Sequence, residues 1–232
     1  MIAVIASSLL TTGCDSETLG RQLPPHRFRF TAYVDTPDGV RVGSSVMEVQ
    51  WNLPGKIWGT QGISTAVLKG QAVIVDLPRN QKLFVLLGGD GDPDWISYNA
   101  YGPYAVLPVE RVDPREFPIR RSTYAHGRTV SNYPFLVRFR DLANPRTIEE
   151  VDPDALDKSF GSGVRLKALT VQATDADITR GIETLLPWLR DWRIGFFDPK
   201  RDSHGGLLPP ETFTVAHKID YRYFSRGLQD EP

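Results

Sequence analysis

The chain has 232 residues, a formal net charge of −1, 41% hydrophobic residues and 24% charged residues. This composition is that of an ordinary globular protein, long enough to bury a substantial core. The near-neutral charge excludes a global positive field of the kind that attracts nucleic acid, so we expect no nucleic-acid partner. A single cysteine excludes an intramolecular disulfide.

The first 14 residues are typical of a bacterial lipoprotein signal peptide. An apolar run over residues 2–10 is followed by Thr11-Thr12-Gly13 and then by the only cysteine, Cys14. The run has the length of a signal-peptide apolar region and is too short to span a bilayer. We therefore predict a signal peptide at residues 1–13 and lipidation of Cys14. The alternative is a buried N-terminal strand with a free core cysteine.

Lipidation would place the protein in the cell envelope, facing the periplasm. Two or more acyl chains suffice for stable anchoring, so we expect the protein to bind a membrane through a lipid anchor at Cys14. Asp15 follows the cysteine, where aspartate resembles the inner-membrane retention signal of enteric-type bacteria. Asp15 is therefore the candidate sorting residue, and the choice between inner and outer membrane stays open.

Residues 14–25 are predicted to be the lipidated cysteine and a flexible tether. The segment is polar and ends in Pro24-Pro25, so it has little apolar surface to bury. We expect residues 26–232 to form a single β-rich globular domain.

The first half of the domain has the period-two pattern of half-buried strands. Residues 27–34 and 40–51 are predicted to form a hairpin around Asp35–Gly39, with a bulge at Gly43-Ser44-Ser45. Three short strands follow at 65–69, 71–77 and 83–87, the last two separated by Pro78-Arg79-Asn80. The runs 72–77 and 83–87 are nearly continuous in apolar residues, which predicts a sheet covered on both faces.

The second half mixes strands with short helices. Residues 88–133 are irregular, which favours a functional loop, a lid, or strands without a recognisable pattern. Strands are predicted at 135–139, 164–173 and within 212–223. Helices are predicted at 153–161, with a stop at Gly161, and from Ile178 to just before Pro187, capped by Asp175 or Asp177. The predicted fold class is α+β, predominantly antiparallel β (a sandwich or barrel-like sheet), with two short helices in the C-terminal half.

The best candidate polar site is the acidic loop that contains Asp90, Asp92 and Asp94. Their alternation resembles the start of a calcium loop, but Trp95 and Tyr101 occupy the positions where an EF-hand needs glycine and glutamate. A solvated acidic turn therefore fits better than a metal site. His126 is the histidine that we pair with this loop in a weak candidate Asp/His site.

No other motif identifies a reaction. The histidines are spread through the sequence without a metal-binding pattern, and neither a nucleophile elbow nor a dinucleotide fingerprint is present. We predict no metal, no cofactor and no catalytic residue. Residues 120–128 mix basic and aromatic side chains, which fits a solvated loop best and otherwise a loop that faces lipid headgroups or an acidic envelope polymer. The apolar cluster at 185–197 indicates core packing, with a partner groove as the alternative.

The chain resembles a family of uncharacterised bacterial lipoproteins. The resemblance rests on Cys14 after its apolar run and on the segments 33–40, 43–46, 136–142, 144–145, 151–161, 182–183 and 186–189. It implies an envelope location and supplies no activity. The absence of Lys or Arg before the apolar run departs from the family's usual start.

Two functions remain open at this stage. The first is a lipid-anchored, non-catalytic binding or structural module with an envelope protein or polymer as its partner. The second is an envelope hydrolase whose polar site joins the acidic loop to a histidine. A pocket that brings Asp and His within hydrogen-bond reach would favour the hydrolase.

Overall fold

The computed structural model describes residues 20–57, 60–61, 64–89, 93–100, 116–119, 133–191, 197–198 and 200–228. Its strands are β1 (Arg21–Gln22), β2 (His26–Thr36), β3 (Gly39–Leu53), β4 (Lys56–Ile57), β5 (Thr60–Gln61), β6 (Thr65–Gln71), β7 (Val73–Leu77), β8 (Gln81–Val85), β9 (Phe117–Pro118), β10 (Leu136–Phe139), β11 (Ile148–Glu150), β12 (Arg165–Ala173) and β13 (Ser225–Arg226). Its α-helices within these ranges are α1 (Leu156–Phe160) and α2 (Ile182–Leu185).

The strands build two antiparallel sheets that pack as a sandwich. The large sheet has the order β13, β6, β3, β2, β12, β9, and β1 adds to β3. The small sheet has the order β11, β10, β8, β7, while β4 and β5 form a separate pair. The predicted fold class, an antiparallel β-rich α+β protein with two short helices in its C-terminal half, is confirmed.

The small sheet is buried on both faces. Along β8 and the residues after it, Leu83, Val85 and Leu87 face the large sheet in a first core, which also contains Phe28 and Phe30. The alternate residues face a second core. That second core is closed by the C-terminal segment; its members include Phe84, Leu86, Val137, Ile182, Leu186, Trp188, Leu189, Phe197 and Phe224. Burial of both faces explains the near-continuous apolar runs of the sequence.

The hairpin of β2 and β3 is longer and more regular than predicted. Its register runs without a shift from Thr36 opposite Gly39 to His26 opposite Val49, so the bulge predicted at Gly43-Ser44-Ser45 is wrong. Gly43 instead lies against β7. A methyl group on Gly43 would lie 2.7 Å from the carbonyl carbon of Ile74. Glycine is therefore needed for close backbone approach.

The C-terminal half departs from the sequence prediction in two places. Helix α2 begins at Ile182 with Gly181 at its N-cap, so Asp175 and Asp177 are not its caps, but it does end before Pro187. The strand predicted within 212–223 is wrong. This segment forms three 3₁₀ turns, Pro210–Thr212, Val215–His217 and Tyr221–Tyr223. The second and third turns contribute Val215, Ala216 and Tyr223 to the second core.

The packed domain begins before His26. Residues Arg21 and Gln22 pair with Leu53 and Asn52, the Leu23 amide donates to the Trp51 carbonyl (2.8 Å), and Leu23 is buried in the first core. The boundary predicted between tether and domain is therefore too late in the chain. Among the residues described, no helix has the length and hydropathy to cross a membrane.

Candidate functional site

The site is organised by the tight turn between β7 and β8. The amide of Gln81 donates to the carbonyl of Pro78, and the two central residues, Arg79 and Asn80, have φ values of 60° and 57°. Such a turn requires positive φ at both central positions, where Asn-Gly is preferred. Asparagine tolerates this conformation, but arginine rarely adopts it, and the cost is about 1–2 kcal/mol. Strained residues of this kind cluster at functional sites.

A groove begins where two strands of the small sheet part. β8 and β10 pair only through Phe84–Val85 and Leu136–Val137. Beyond this point β8 continues to pair with β7 as far as Gln81. β10 likewise continues to pair with β11 as far as Phe139. The groove between them has a volume of about 580 Å³, in the range of small-molecule sites.

Four cations line this groove: Arg79, Lys82, Arg138 and Arg140. Lys82 forms an ion pair with Asp76. Arg138 and Arg140 share one carboxylate, because Glu149 accepts from Nη2 of Arg138 at 2.7 Å and from Nε of Arg140 at 2.9 Å. Arg79 pairs with no carboxylate in the part of the chain that the structure describes. The four cations are set against three carboxylates, Asp76, Glu149 and Asp141, so these described residues together carry one positive charge in excess.

Neighbouring groups hold the cations in place. Nη1 of Arg138 donates to the carbonyl of Ser159, and its guanidinium carbon lies 5.8 Å from the centre of the Phe160 ring. The Arg79 guanidinium lies beside Gly161, where a methyl group would be 3.5 Å from Nη1. Phe139, Leu142 and Phe160 add apolar walls. The site therefore combines forked donors with apolar surface, which suits a carboxylate or phosphate attached to a larger ligand.

The predicted Asp/His site is described only in part. Asp90, Asp92 and His126 lie outside the described residues, as do Cys14, Asp15 and the basic segment 120–128. Asp94 forms an ion pair with Arg226, which is largely buried and also donates to the carbonyl of Pro93 at 2.8 Å. This contact ties the loop to β13, so the described member of the site has a structural role.

His217 is the described histidine that comes closest to a catalytic arrangement. Its Nδ1 accepts from the amide of Thr214 at 3.1 Å and lies 2.9 Å from the Thr214 hydroxyl. Its Nε2 lies 3.6 Å from Asp198. The ring is buried and stacks on Phe213. The contacts with Thr214 form the capping box of the turn Val215–His217, which gives them a stabilising role; the contacts with Asp198 and Phe213 lie outside that box.

Among the described residues, three titratable groups have shifted pKa values. Burial lowers the pKa of His26, at the start of β2. Burial and then hydrogen bonds to Glu116, at 3.0 and 3.2 Å, raise the pKa of Tyr33 on the large sheet. Hydrogen bonds to the buried Asp220 raise the pKa of Arg222. None of these groups lines the groove.

Sequence reasoning missed the groove. The lining cations come from two segments more than fifty residues apart, and neither segment carries a motif that indicates a ligand or a reaction; these cations are Arg79, Lys82, Arg138 and Arg140. The one local signal is Pro78-Arg79-Asn80, which predicts a tight turn. In the described ranges, no group of three or more His, Cys, Asp and Glu side chains could hold a metal ion. The apolar cluster is core, as predicted, for its described members Leu186, Trp188, Leu189 and Phe197.

No protein-family model, no curated protein and no solved structure matches this chain.

Proposed function

We propose that this protein is a lipid-anchored module of the bacterial cell envelope that binds an anionic ligand and catalyses no reaction. Cys14 carries the lipid and holds the domain on the periplasmic side of a membrane. Asp15 is the candidate sorting residue, because aspartate at this position resembles the inner-membrane retention signal of enteric-type bacteria. This part of the proposal rests on the signal-peptide pattern before Cys14.

The observation that carries the binding role is Arg79. Its guanidinium lines a groove of ligand size, has no carboxylate partner among the described residues, and sits on a strained backbone. A charge in that position is left available for a ligand oxyanion. Arg138 and Arg140 add further N–H donors, because Glu149, the carboxylate that they share, does not use all of them. A carboxylate or phosphate is the group that this donor set fits.

The geometry favours binding over hydrolysis. A hydrolase needs a nucleophile or an activated water within reach of a base. Among the described residues, the groove lining includes Arg, Lys, Asn and Gln side chains and a single carboxylate, Asp141, which accepts from the amide of Ala143 at 2.9 Å. Asp94, from the rival hydrolase site, is engaged by Arg226. Both observations support a ligand-binding module.

Titration of the full chain with oligogalacturonate tests the binding role. This probe carries one carboxylate on each sugar, and binding is followed by calorimetry at 50 mM salt. We expect saturable binding that Arg79→Ala weakens roughly tenfold or more, because a charge-assisted hydrogen bond is worth about 1.5–3 kcal/mol. Arg21→Ala is the matched control, since Arg21 is exposed on β1. Equal losses in both variants, or no saturable binding by the wild type, would reject the proposal.

A further inference from the structure

The two ends of the large sheet have different surroundings. β3 is a strand of 15 residues, which corresponds to roughly 45–50 Å in an extended chain. Its last residues, Asn52 and Leu53, pair with β1, which is the first strand after the Cys14 region. Its first residue, Gly39, lies at the turn of the hairpin with β2. The N-terminal attachment and the hairpin turn therefore lie at opposite ends of β3.

The groove lies at the hairpin-turn end. The chain from β6 runs beside β3 toward this turn. Thr65 pairs with Asn52, Lys69 pairs with Glu48, and the carbonyl of Ile74 lies against Gly43. β7 then continues in the same direction to the turn that carries Arg79.

Contacts across the loop after α1 confirm this placement. A methyl group on Gly163 would lie 3.0 Å from Cγ of Pro37, in the hairpin turn. One on Gly161 would lie 3.5 Å from Nη1 of Arg79. Pro37 and Arg79 are therefore bridged by one short loop, and the groove opens at the end of the sandwich that carries the hairpin turn.

The link between Cys14 and the domain is short. Five residues lie between Cys14 and Gly20, and whatever path they take, the six Cα-to-Cα steps span no more than about 22 Å. A lipid on Cys14 therefore keeps the β1 end of the sandwich near the bilayer. The net charge of −1 provides no overall attraction that would lay the domain flat on an anionic surface.

We propose that the Arg79 groove is presented away from the anchoring membrane and takes the oxyanion of a soluble or polymeric ligand, and not that of a lipid headgroup in the same bilayer. This inference rests on the proposed lipid anchor and anion binding. A ligand of this kind is a glycan or other polymer whose carboxylates or phosphates lie several nanometres above the bilayer surface.

The test uses the lipidated full chain reconstituted in vesicles. One set of vesicles is pure phosphatidylcholine, and the other contains 30% phosphatidylglycerol; both are titrated with fluorescent oligogalacturonate at 0.15 M salt. The Debye length there is about 8 Å, so a distant groove is screened from the charged surface. We expect dissociation constants that agree within twofold between the two membranes, and a loss of roughly tenfold or more with Arg79→Ala in both.

The outcomes separate the two proposals. Binding that phosphatidylglycerol weakens fivefold or more in the wild type would mean that headgroups reach the groove, and it would overturn the orientation alone. Absence of binding on phosphatidylcholine, or equal binding by the wild type and Arg79→Ala, would overturn the proposed function itself. Arg21→Ala, at the membrane-proximal end, should bind the probe as the wild type does.

Discussion

The carbonyl of Ile74 on β7 occupies the space where a side chain on Gly43 of β3 would begin. The two strands belong to different sheets, so this contact fixes how closely the layers of the sandwich approach at this point. Gly43→Ala should destabilise the protein by at least about 2 kcal/mol, because the clash is with backbone and not with a movable side chain. Urea unfolding measures the loss. Ser44→Ala, at the exposed neighbouring position, is the control and should change stability by less than about 0.5 kcal/mol.

Leu23 makes the segment before His26 part of the fold. A chain that starts at Gly20 should melt at the same temperature as the full chain. One that starts at His26 loses β1, the buried Leu23 side chain and the hydrogen bond from the Leu23 amide to the Trp51 carbonyl. Leu23→Ala alone should cost about 2–3 kcal/mol from lost burial. Thermal unfolding followed by circular dichroism compares the chain that starts at Gly20, the chain that starts at His26 and Leu23→Ala. Equal melting temperatures for all three would restore the later boundary that the sequence suggests.

The Asp94–Arg226 ion pair should contribute to stability. The Asp94 side chain is 40% exposed and that of Arg226 is 17% exposed, so solvent screens the pair in part. We expect a coupling of about 0.5–1 kcal/mol in a double-mutant cycle of Asp94→Ala and Arg226→Ala. Additive losses would mean that the two side chains act independently. Probe binding in the groove should be unchanged in Asp94→Ala.

Acid should destabilise the fold through His26. Burial lowers the pKa of His26 in the native state below the ordinary value of 6.5, so the unfolded chain binds a proton more readily. The neutral ring therefore makes its full contribution to the free energy of unfolding above pH 6.5. This contribution is lost as the pH falls from 6.5 through the lower pKa of the native state. His26→Gln should flatten the dependence of unfolding free energy on pH below 6.5. The exposed His204, changed to Gln, should leave it as in the wild type.

Short-range patterns predicted most of the sandwich, and failures occurred where distant segments meet. The alternation of 27–34 and the turn at Pro37-Asp38-Gly39 depend on neighbouring residues, and the β2–β3 hairpin follows from them. Gly43 was misread because a bulge and a close approach both call for glycine in a strand, and only the position of Ile74 distinguishes them. The 3₁₀ turns near the C-terminus depend on packing against the second core, and the local hydrophobic periodicity of the sequence does not predict them.

The candidate site was less accessible to sequence reasoning than the fold. Arg79 and Arg138 are of a residue type that is common on protein surfaces. The groove exists because β8 does not pair with β10 before Phe84, and β10 does not pair with β8 beyond Val137. That parting is a property of the sheet and not of either strand. The acidic loop is recognisable as a candidate site because its aspartates are close together in sequence. Asp94, however, forms an ion pair with Arg226, 132 positions away.

Fatty-acid labelling of Cys14 tests the central claim most directly. Cells that express the full chain are fed radiolabelled palmitate, and the immunoprecipitated wild type is compared with Cys14→Ser. The account predicts a labelled, processed wild type and an unlabelled precursor for the variant, because no other cysteine can form the thioether. Label that persists in Cys14→Ser, or an unlabelled wild type, would contradict a lipid-anchored protein.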